Sequence, residues 1–359
     1  VYKVSDMNTL ENEKFMERSN NTVDAATLKS MGSSRFVTKP SIIFAKVGAA
    51  VFGEKKRITK HPFVTDNNMM SFSPSNRYDI EFVWNWFLRT SLSKSVQTSA
   101  LPSLNITTLG ALEMVNPSSD EQGKIAKFLS LIDSRIATQR RLVNLLKKHK
   151  RGLSNALFSG KVRLAKNGKW KSYRLGEIVR RVTRKNGKSS DVPLTISAQY
   201  GLVDQREFFS KSVASADMSG YFLLKKNEFA YNRSSSSDYP FGSIKRLERY
   251  EQGVVSTLYI CFEALGDKDN AEFLKWYFDS FAWHREVGMI CAEGARNHGL
   301  LNVPTDGFFN TQHLLPTDKA ERMKISSMLA LAEARCQNAE GELARLTHLK
   351  TGLLQQLFV

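Results

Sequence analysis

The sequence predicts an α/β (α+β) protein of two tandem domains, separated by two long helices that pair as an antiparallel coiled coil. Three observations lead to this prediction: a long segment that recurs 200 positions later, a heptad pattern in both copies, and mixed strand and helix patterns before each copy. The predicted boundaries are a first domain at 1–116, a helix at 117–160, a linker at 161–169, a second domain at 170–315 and a helix at 316–359.

The recurring segment covers 120–158 and 320–358, which align without a gap. The stretches before them match more faintly, as in Phe44-Ala45 with Phe229-Ala230 and Leu104-Asn105 with Leu301-Asn302. A repeat of this length indicates a duplicated structural unit, here one domain followed by one helix. The first copy has no counterpart of 170–178, so we expect an N-terminal strand of that copy to be missing from this sequence.

Both copies of the segment carry apolar residues at alternating spacings of four and three, which is the seam of a coiled coil. The seam residues predicted to pair the helices are Ile125, Leu129, Ile132, Ile136, Val143, Leu146, Leu153 and Leu157, and Ile325, Leu329, Leu343, Leu346, Leu353 and Leu357. Each helix follows a proline and opens with a capping-box pattern, Ser118-x-x-Glu121 or Asp318-x-x-Glu321. Gln139, Lys150 and Lys350 interrupt the seam and would fix its register.

A single heptad helix cannot bury its own apolar stripe, so we expect the two helices to pair with each other. At 1.5 Å per residue, about 40 residues make a rod of about 60 Å. An antiparallel pair would then hold the two domains at opposite ends and act as a spacer. The alternative is that each helix packs only on its own domain.

The chain carries 52 Lys and Arg against 35 Asp and Glu, a formal charge of +17. Such an excess favours a polyanionic partner, with nucleic acid first and an acidic protein or a membrane surface as alternatives. No apolar run approaches the roughly 18 residues of a membrane span. The three cysteines are far apart and lack metal-site spacing, which predicts reduced thiols in a cytoplasmic protein.

Basic and polar residues in the predicted loops are the candidate DNA contacts, since Arg and Asn can bind base edges while Lys, Arg and hydroxyl groups bind phosphate. In the first copy the candidates are Lys46, Lys55, Lys56, Arg57, Ser103 and Asn105. In the second copy they are Asn232, Arg233, Ser234, Ser235, Ser236, Tyr239, Lys245, Arg246, Arg296, Asn297 and His298. The alternative for each charged residue is an ordinary solvated surface. The tryptophans of the helical stretches 80–92 and 271–287 are interpreted as core residues.

The sequence offers no catalytic motif. Its histidines and cysteines lack zinc spacing, and no phosphate-binding loop is present. Asp238-Tyr239-Pro240-Phe241 is only superficially similar to the Asp-Pro-Pro-Phe site of amino-methyltransferases, because the second position differs and no glycine-rich cofactor loop accompanies it. We therefore predict a non-catalytic protein with no cofactor or metal of its own.

Several stretches resemble the specificity subunit of type I restriction-modification systems. Pro117-Ser-Ser-Asp-Glu121-Gln122-x-x-Ile125-Ala126 is similar to the start of that family's conserved helix, and Leu153–Phe158 with Ser159-Gly160 is similar to its end. Trp-x-x-Tyr-Arg-Leu-Gly-Glu-Ile at 170–178 resembles the start of a target recognition domain, and 45–53 resembles its glycine-bearing loop. The second helix departs from the pattern, since Glu321 is followed by Arg322 rather than Gln.

The resemblance implies two target recognition domains that read an asymmetric, bipartite site in double-stranded DNA. It also implies two methyltransferase subunits, which bring S-adenosylmethionine, and separate restriction and translocase subunits. One alternative is a specificity module for a modification or restriction enzyme of another type. A further alternative is a coiled-coil nucleic-acid-binding adaptor without sequence specificity.

Overall fold

The computed structural model describes residues 1–30, 36–96, 102–165, 168–197, 200–208, 215, 217–291 and 299–358. The chain forms two compact units. The first unit comprises Val1–Leu142 with Ala339–Val359, and the second unit comprises Val143–Asn338. Both long helices therefore contribute residues to both units.

The described part of the first unit contains a three-stranded and a two-stranded antiparallel sheet. Its strands are β1 (Phe36–Val37), β2 (Ser41–Ala45), β3 (Lys56–Thr59), β4 (Phe63–Val64) and β5 (Met69–Phe72). Its helices are α1 (Ala25–Ser30), α2 (Ile80–Arg89), α3 (Ile106–Gly110) and the start of α4 (Ser119–Phe158), with 3-10 turns at Val4–Asn8, Leu10–Asn12, Ala49–Gly53 and Leu92–Ser95. The main sheet has the order β3-β2-β5, so the wholly buried β2 is its central strand.

Helix α2 covers this sheet because its sequence has an apolar face and a strong start. Asp79 is the N-cap, and its carboxylate accepts hydrogen bonds from the backbone N–H groups of Glu81 and Phe82, both at 2.9 Å. The buried residues of α2 are Phe82, Val83, Trp84, Asn85, Trp86 and Phe87. The predicted core role of the tryptophans in this helix agrees with their burial.

The second unit repeats this plan with more elements. Its strands are β6 (Trp170–Arg174), β7 (Val179–Val182), β8 (Leu194–Ser197), β9 (Gly201–Asp204), β10 (Phe222–Lys225), β11 (Phe229–Asn232), β12 (Ser243–Arg246), β13 (Gln252–Val255), β14 (Ile260–Ala264) and β15 (Gln312–Pro316). Its helices are α5 (Leu175–Ile178), α6 (Gln205–Phe208), α7 (Lys268–Asp279), α8 (His284–Ile290), α9 (Thr305–Asn310) and the start of α10 (Lys319–Leu357).

The strand pairings relate the two units. In the second unit the sheet order is β12-β11-β14-β7, and the central strand β11 lies between β12 and β14 as β2 lies between β3 and β5. Phe229 faces Arg246 and Phe262, whereas Phe44 faces Lys56 and Met70. Strand β11 is therefore the equivalent of β2, and the Phe-Ala match found in the sequence marks the same strand in both units.

The long helices form the predicted antiparallel pair. In the first unit Lys350 Nζ donates to the Asp133 carboxylate, and Gln139 Nε2 donates to the carbonyl of Ala339 at 2.9 Å. In the second unit Lys150 Nζ donates to the Glu333 carboxylate. Partner numbers fall along α10 as they rise along α4, so the helices run in opposite directions. The predicted fold class, two α+β domains with two paired long helices, is confirmed.

The two helix starts differ from each other. Ser118 and Glu121 form the predicted capping box, with the Ser118 backbone N–H donating to Glu121 Oε2 at 2.9 Å. At the second helix Asp318 Oδ1 accepts from the Ala320 N–H at 3.0 Å, but Glu321 is buried and accepts from Trp170 Nε1 at 3.4 Å instead. Glu321 therefore contacts Trp170 rather than the start of its own helix.

Candidate nucleic-acid interface

One loop cluster in the first unit brings together distant candidate residues. The loop after β2 is held by main-chain hydrogen bonds: the Lys46 carbonyl accepts from the Leu104 N–H at 2.9 Å, and the Gly48 N–H donates to the Pro102 carbonyl at 2.8 Å. Val47 and Ser103 form an isolated β-bridge. Gly48 has a φ of 77°, a left-handed conformation that favours glycine. Lys46 and Ser103 thus lie in neighbouring segments of one surface.

The second unit has a loop cluster of the same construction. The Arg233 carbonyl accepts from the Leu301 N–H at 2.9 Å, as Lys46 does from Leu104 in the first unit. The Ser235 N–H and Oγ both donate to the Gly299 carbonyl, at 2.6 Å and 3.0 Å, and Ser234 bridges to Leu300. Main-chain geometry therefore makes Lys46 and Arg233 equivalent. The candidates Arg296, Asn297 and His298 lie outside the described residues, just before this segment.

The two loop clusters differ in what they present. Ser234 and Ser236 are exposed in the second unit, and the Ser234 N–H is fixed by Asn232 Oδ1 at 3.0 Å. Tyr239 is half-buried beside Phe281, with ring centroids 6.1 Å apart. In the first unit Asn105 caps α3, since its Oδ1 accepts from the Thr108 N–H at 2.6 Å. The clusters thus share a main-chain scaffold but display different side chains.

The guanidinium group of Arg233 is anchored to the protein. It donates to the carbonyl of Leu258 at 2.9 Å and to the carbonyl of Val303 at 3.1 Å. These contacts hold the start of the serine-rich loop against the segment that leads to α9. Arg233 therefore has a structural role in the described conformation, and its contact with DNA stays a prediction.

The basic run of the first unit is mostly engaged inside the protein. Lys56 is 2% exposed, and its ammonium contacts Glu54 at 2.5 Å and the Thr90 carbonyl at 2.9 Å. Burial of Glu54 opposes its charge, but hydrogen bonds from Lys56 and Ser93 lower its pKa to about 2. The Arg57 guanidinium donates to the carbonyls of Lys56 and Met7, at 3.1 Å and 3.2 Å. The exposed Lys55 donates to Asn8 Oδ1.

The corresponding pair in the second unit is also engaged. Arg246 contacts Glu248 at 2.7 Å and Glu272 at 2.5 Å. Lys245 contacts Asp279 at 2.6 Å; burial opposes its charge, but Asp279 raises its pKa. Arg246 and Lys56 occupy the same register position opposite the central strand. Contacts within the protein thus occupy the charged groups of Lys56 and Arg246, and phosphate contact by these residues stays a prediction.

The seam residues predicted to pair the helices lie on the buried sides of α4 and α10. Buried members are Leu129, Ile136, Val143, Leu157, Ile325, Leu329 and Leu346. Half-buried members are Ile125, Ile132, Leu146, Leu153, Leu343, Leu353 and Leu357. The ends of both helices enter the domain cores, as Phe358 packs in the first unit with Phe82 and Phe158 packs in the second with Tyr277. Each unit therefore contains the start of one helix and the end of the other.

Sequence reasoning missed the acidic partners of the two seam lysines. Lys350 pairs with Asp133, and Lys150 pairs with Glu333. The two lysines are 200 positions apart in the sequence, and so are the two acids. The same ion pair therefore occurs once in each unit. The sequence does contain a signal for this ion pair, because positions 133 and 333 both carry an acidic residue next to a seam position. A search for identical residues passes over it, because one acid is aspartate and the other is glutamate.

The contact that positions the start of each long helix was also missed. Gln122 Oε1 accepts from the Asp79 N–H at 3.0 Å, and its Nε2 donates to the Pro117 carbonyl at 3.0 Å. In the second unit Arg322 takes this place: its Nε donates to the Pro316 carbonyl at 2.8 Å, and its Nη1 to Asn270 Oδ1 at 3.0 Å. The departure from the Glu-Gln pattern thus preserves the link between the long helix and the domain helix.

Within the described ranges no group of three or more His, Cys, Asp or Glu side chains is arranged to hold a metal ion. In the same ranges no helix combines the length and the apolar character required to cross a membrane.

Comparison with known proteins agrees with this arrangement. Residues 3–148 match the family model described as the type I restriction modification DNA specificity domain. No curated protein matches the sequence. The resemblance predicted from the sequence is thus found over residues 3–148, which include the first domain and most of the first long helix.

Solved structures show the same fold. The S subunit of a type I restriction-modification system from M. genitalium is 16% identical, with a TM-score of 0.53 over 91% of this chain and 85% of that chain. The HsdS subunit from Thermoanaerobacter tengcongensis is 13% identical, with a TM-score of 0.50 over 99% and 89% of the two chains. A chain from a structure on complex assembly and conformational transition of the type I R-M system is 12% identical, with a TM-score of 0.55 over 99% and 89%.

Proposed function

We propose that this chain, whose residues 3–148 match the type I restriction modification DNA specificity domain, is a non-catalytic specificity subunit that reads an asymmetric, bipartite DNA target. The observation that carries the proposal is the pair of loop clusters. They share one main-chain scaffold, at Lys46–Leu104 and Arg233–Leu301, but display unlike side chains. Two loop clusters with different side chains on the same main-chain scaffold are expected to recognise two different DNA half-sites.

The exposed polar groups of each cluster are suited to different tasks. Ser234 and Ser236 offer hydroxyl groups that can bind phosphate or a base edge. In the first unit, Lys46 forms no ion pair with any described residue and is available to a phosphate. The net charge of +17 supplies the general attraction to DNA, which must weaken as salt rises.

The long helices offer a repeated surface for partner subunits. On α4 in the first unit, Phe128 and Leu131 are exposed, and on α10 in the second unit Met328 and Leu331 are exposed at the equivalent positions. Exposed apolar pairs of this kind mark protein contacts. We propose that two methyltransferase subunits, which would bring S-adenosylmethionine, dock on these two surfaces. Restriction and translocase subunits would then join the same complex.

A domain exchange tests the DNA-reading proposal. Residues 170–315 would be replaced by the matching domain of another specificity subunit, and the chimera would be produced with its methyltransferase partner in cells. Genome-wide mapping of methylated adenines is expected to show one altered half-site and one retained half-site. The matched control replaces 1–116, which should alter the other half-site.

Two outcomes would contradict the proposal. An unchanged methylation site after exchange of 170–315 would show that this domain reads no DNA. Binding that falls with salt but shows no preference among DNA sequences would instead support a nucleic-acid-binding adaptor.

The docking surfaces on the helices are tested in the same cells. The double variant Leu131→Asp with Leu331→Asp should abolish co-purification of the methyltransferase without unfolding the chain. Retained co-purification would place the partner elsewhere.

A further inference from the structure

One surface turn of the first unit offers only apolar side chains to a ligand. The 3-10 turn Ala49–Gly53 follows Gly48, whose N–H donates to the Pro102 carbonyl in the loop cluster of this unit. The turn has the sequence Ala-Ala-Val-Phe-Gly, so none of its side chains can donate or accept a hydrogen bond. The side chains of this turn can therefore contact DNA only through apolar surface.

Phe52 is the largest side chain of the turn, and it is 53% exposed. The preceding Val51 is 3% exposed and belongs to the core of the first unit, against which Ala50 also packs. Single exposed apolar side chains are ordinary on a protein surface. The support and the surroundings of Phe52 therefore decide what its exposure indicates.

The turn that carries Phe52 is fixed at both ends. The Val51 N–H donates to the Gly48 carbonyl at 3.1 Å, and the Glu54 N–H donates to the Val51 carbonyl at 3.2 Å. The Glu54 carboxylate in turn accepts from the N–H groups of Leu92 at 3.2 Å and Ser93 at 2.7 Å. A side chain on such a support loses little conformational freedom when it binds a ligand.

The equivalent phenylalanine of the second unit is used for packing. Phe241 lies in the Pro-Phe-Gly stretch 240–242, which matches Val-Phe-Gly at 51–53. Its ring lies against α8, with a centroid distance of 5.6 Å to His284, and a Cβ added at Gly288 would lie 2.9 Å from the ring. The same sequence position thus fills a gap beside a helix in the second unit and faces solvent in the first.

Phe52 also lies between two basic residues in the sequence. Lys46 is six positions before it, and the exposed Lys55 is three positions after it. Ammonium groups bind backbone phosphates and thereby position a loop on the duplex, whereas contacts with the bases provide the specificity. An exposed aromatic ring between such groups is therefore suited to contact a base.

A duplex offers a phenyl ring two kinds of apolar surface, which are the faces of the base pairs and the 5-methyl group of thymine in the major groove. A wedge between base pairs needs both faces of its ring free. About half of Phe52 is covered by its own surroundings, so its ring is poorly suited to act as a wedge. A methyl group, by contrast, requires only one face or one edge of the ring.

We propose that Phe52 contacts the 5-methyl group of a thymine, so that the half-site read by the first unit depends on a T·A pair at one position. Phe52 is then a specificity-determining residue of the first loop cluster, and the second unit has no equivalent, because Phe241 packs against α8. This inference rests on the proposed function, since it requires the first unit to read DNA.

The first experiment selects duplexes from a random library with the full chain, tagged and purified with the subunits that accompany it in its own cells. The wild-type chain is expected to require a T·A pair at one position of one half-site. Phe52→Ala should reduce the preference for thymine there by about fourfold, the factor that burial of one methyl group supplies, and should leave the other positions unchanged. Phe52→Leu should keep most of the preference, because leucine also covers a methyl group.

The matched control is Phe36→Ala, since Phe36 is 37% exposed and lies on strand β1, outside the loop cluster. This variant should leave the selected sequence unchanged at every position.

The second experiment replaces the selected thymidine by deoxyuridine, which forms the same base pair but lacks the methyl group. The wild-type chain should bind the altered duplex about four times more weakly, whereas Phe52→Ala should bind both duplexes equally. The fall of affinity with salt should have the same slope for both chains, because the ring neutralises no phosphate. A merely structural role of Phe52 would not make its effect depend on one methyl group.

An unchanged preference for thymine in Phe52→Ala, or equal weakening of both chains by deoxyuridine, would overturn the inference and leave the proposed function intact. Loss of an accompanying subunit from Phe52→Ala with an unchanged DNA preference would also overturn it, since the ring would then contact a protein. A library that yields no enriched sequence with the wild-type chain would contradict the proposed function itself, and the inference would fall with it.

Discussion

Removing the aromatic ring at the end of α10 is expected to loosen the first unit and spare the second. Phe358 is 2% exposed and packs against Phe82 with ring centroids 5.0 Å apart, in the same cluster as Leu129 and Leu354. Truncating a buried phenylalanine to alanine costs about 3–5 kcal/mol. Because Phe358 directly follows the last turn of α10, where the backbone can relax around a smaller side chain, we expect a loss of about 3 kcal/mol.

The assay is hydrogen exchange resolved along the chain. A loss of about 3 kcal/mol should speed exchange of the protected amides of α2 by a factor on the order of 100, since 1.4 kcal/mol corresponds to tenfold. The amides of α7 should be almost unaffected. Phe158→Ala is the reciprocal variant, because Phe158 packs against Tyr277 of α7, and should speed α7 rather than α2.

The control is Leu349→Ala, a truncation at a half-exposed position of α10, for which a change within about 0.5 kcal/mol is expected. Hydrogen exchange in α2 that is no faster in Phe358→Ala than in this control would show that Phe358 does not anchor the first unit. Equal changes of exchange in α2 and α7 in both phenylalanine variants would show that the ends of the helices do not anchor separate cores.

Two further predictions concern polar groups. In a double-mutant cycle with Lys350→Met and Asp133→Asn, urea unfolding should give a coupling free energy of about 1 kcal/mol or more. The more exposed pair of Lys150 with Glu333 should give a smaller coupling free energy. Zero coupling between Lys350 and Asp133 would contradict the inferred ion pair. His313 is buried between the Tyr277 hydroxyl at 2.7 Å and Thr311 Oγ1 at 2.8 Å, and burial lowers its pKa to about 4. Its lowered pKa means that it stabilises the fold above about pH 6.5 and that this contribution, up to about 3 kcal/mol, is lost as the pH falls towards 4. His313→Gln should flatten the fall in stability over that range, and an unchanged slope would refute the assignment.

The arrangement of the helix pair explains why each unit depends on both repeats. The start of α4 continues from the first domain and its end packs in the second unit, while α10 does the reverse. The links from Gln122 to Asp79 and from Arg322 to Asn270 tie the start of each helix to the N-terminus of its own domain helix. A change near one end of either helix is therefore expected to act on the unit in which that end packs.

The sequence by itself determined the repeat, both long helices and their antiparallel pairing, because heptad periodicity and a constant spacing of 200 are local and additive signals. It also located the polar loops after the Phe-Ala strands, since the strand and the change in composition lie next to each other in the chain. The sequence does not mark the turn between β13 and β14, because that turn carries no proline or glycine.

Only the tertiary structure decided which basic residues are available. Lys56, Arg57, Lys245 and Arg246 were candidates because of their charge, but carboxylates and carbonyls of the protein bind them, and several of these acceptors, in Met7, Asp279 and Glu272, lie far away in the sequence. Charge and apolar spacing can be read along a chain, whereas the partner of a side chain depends on segments far away in sequence that folding brings to it.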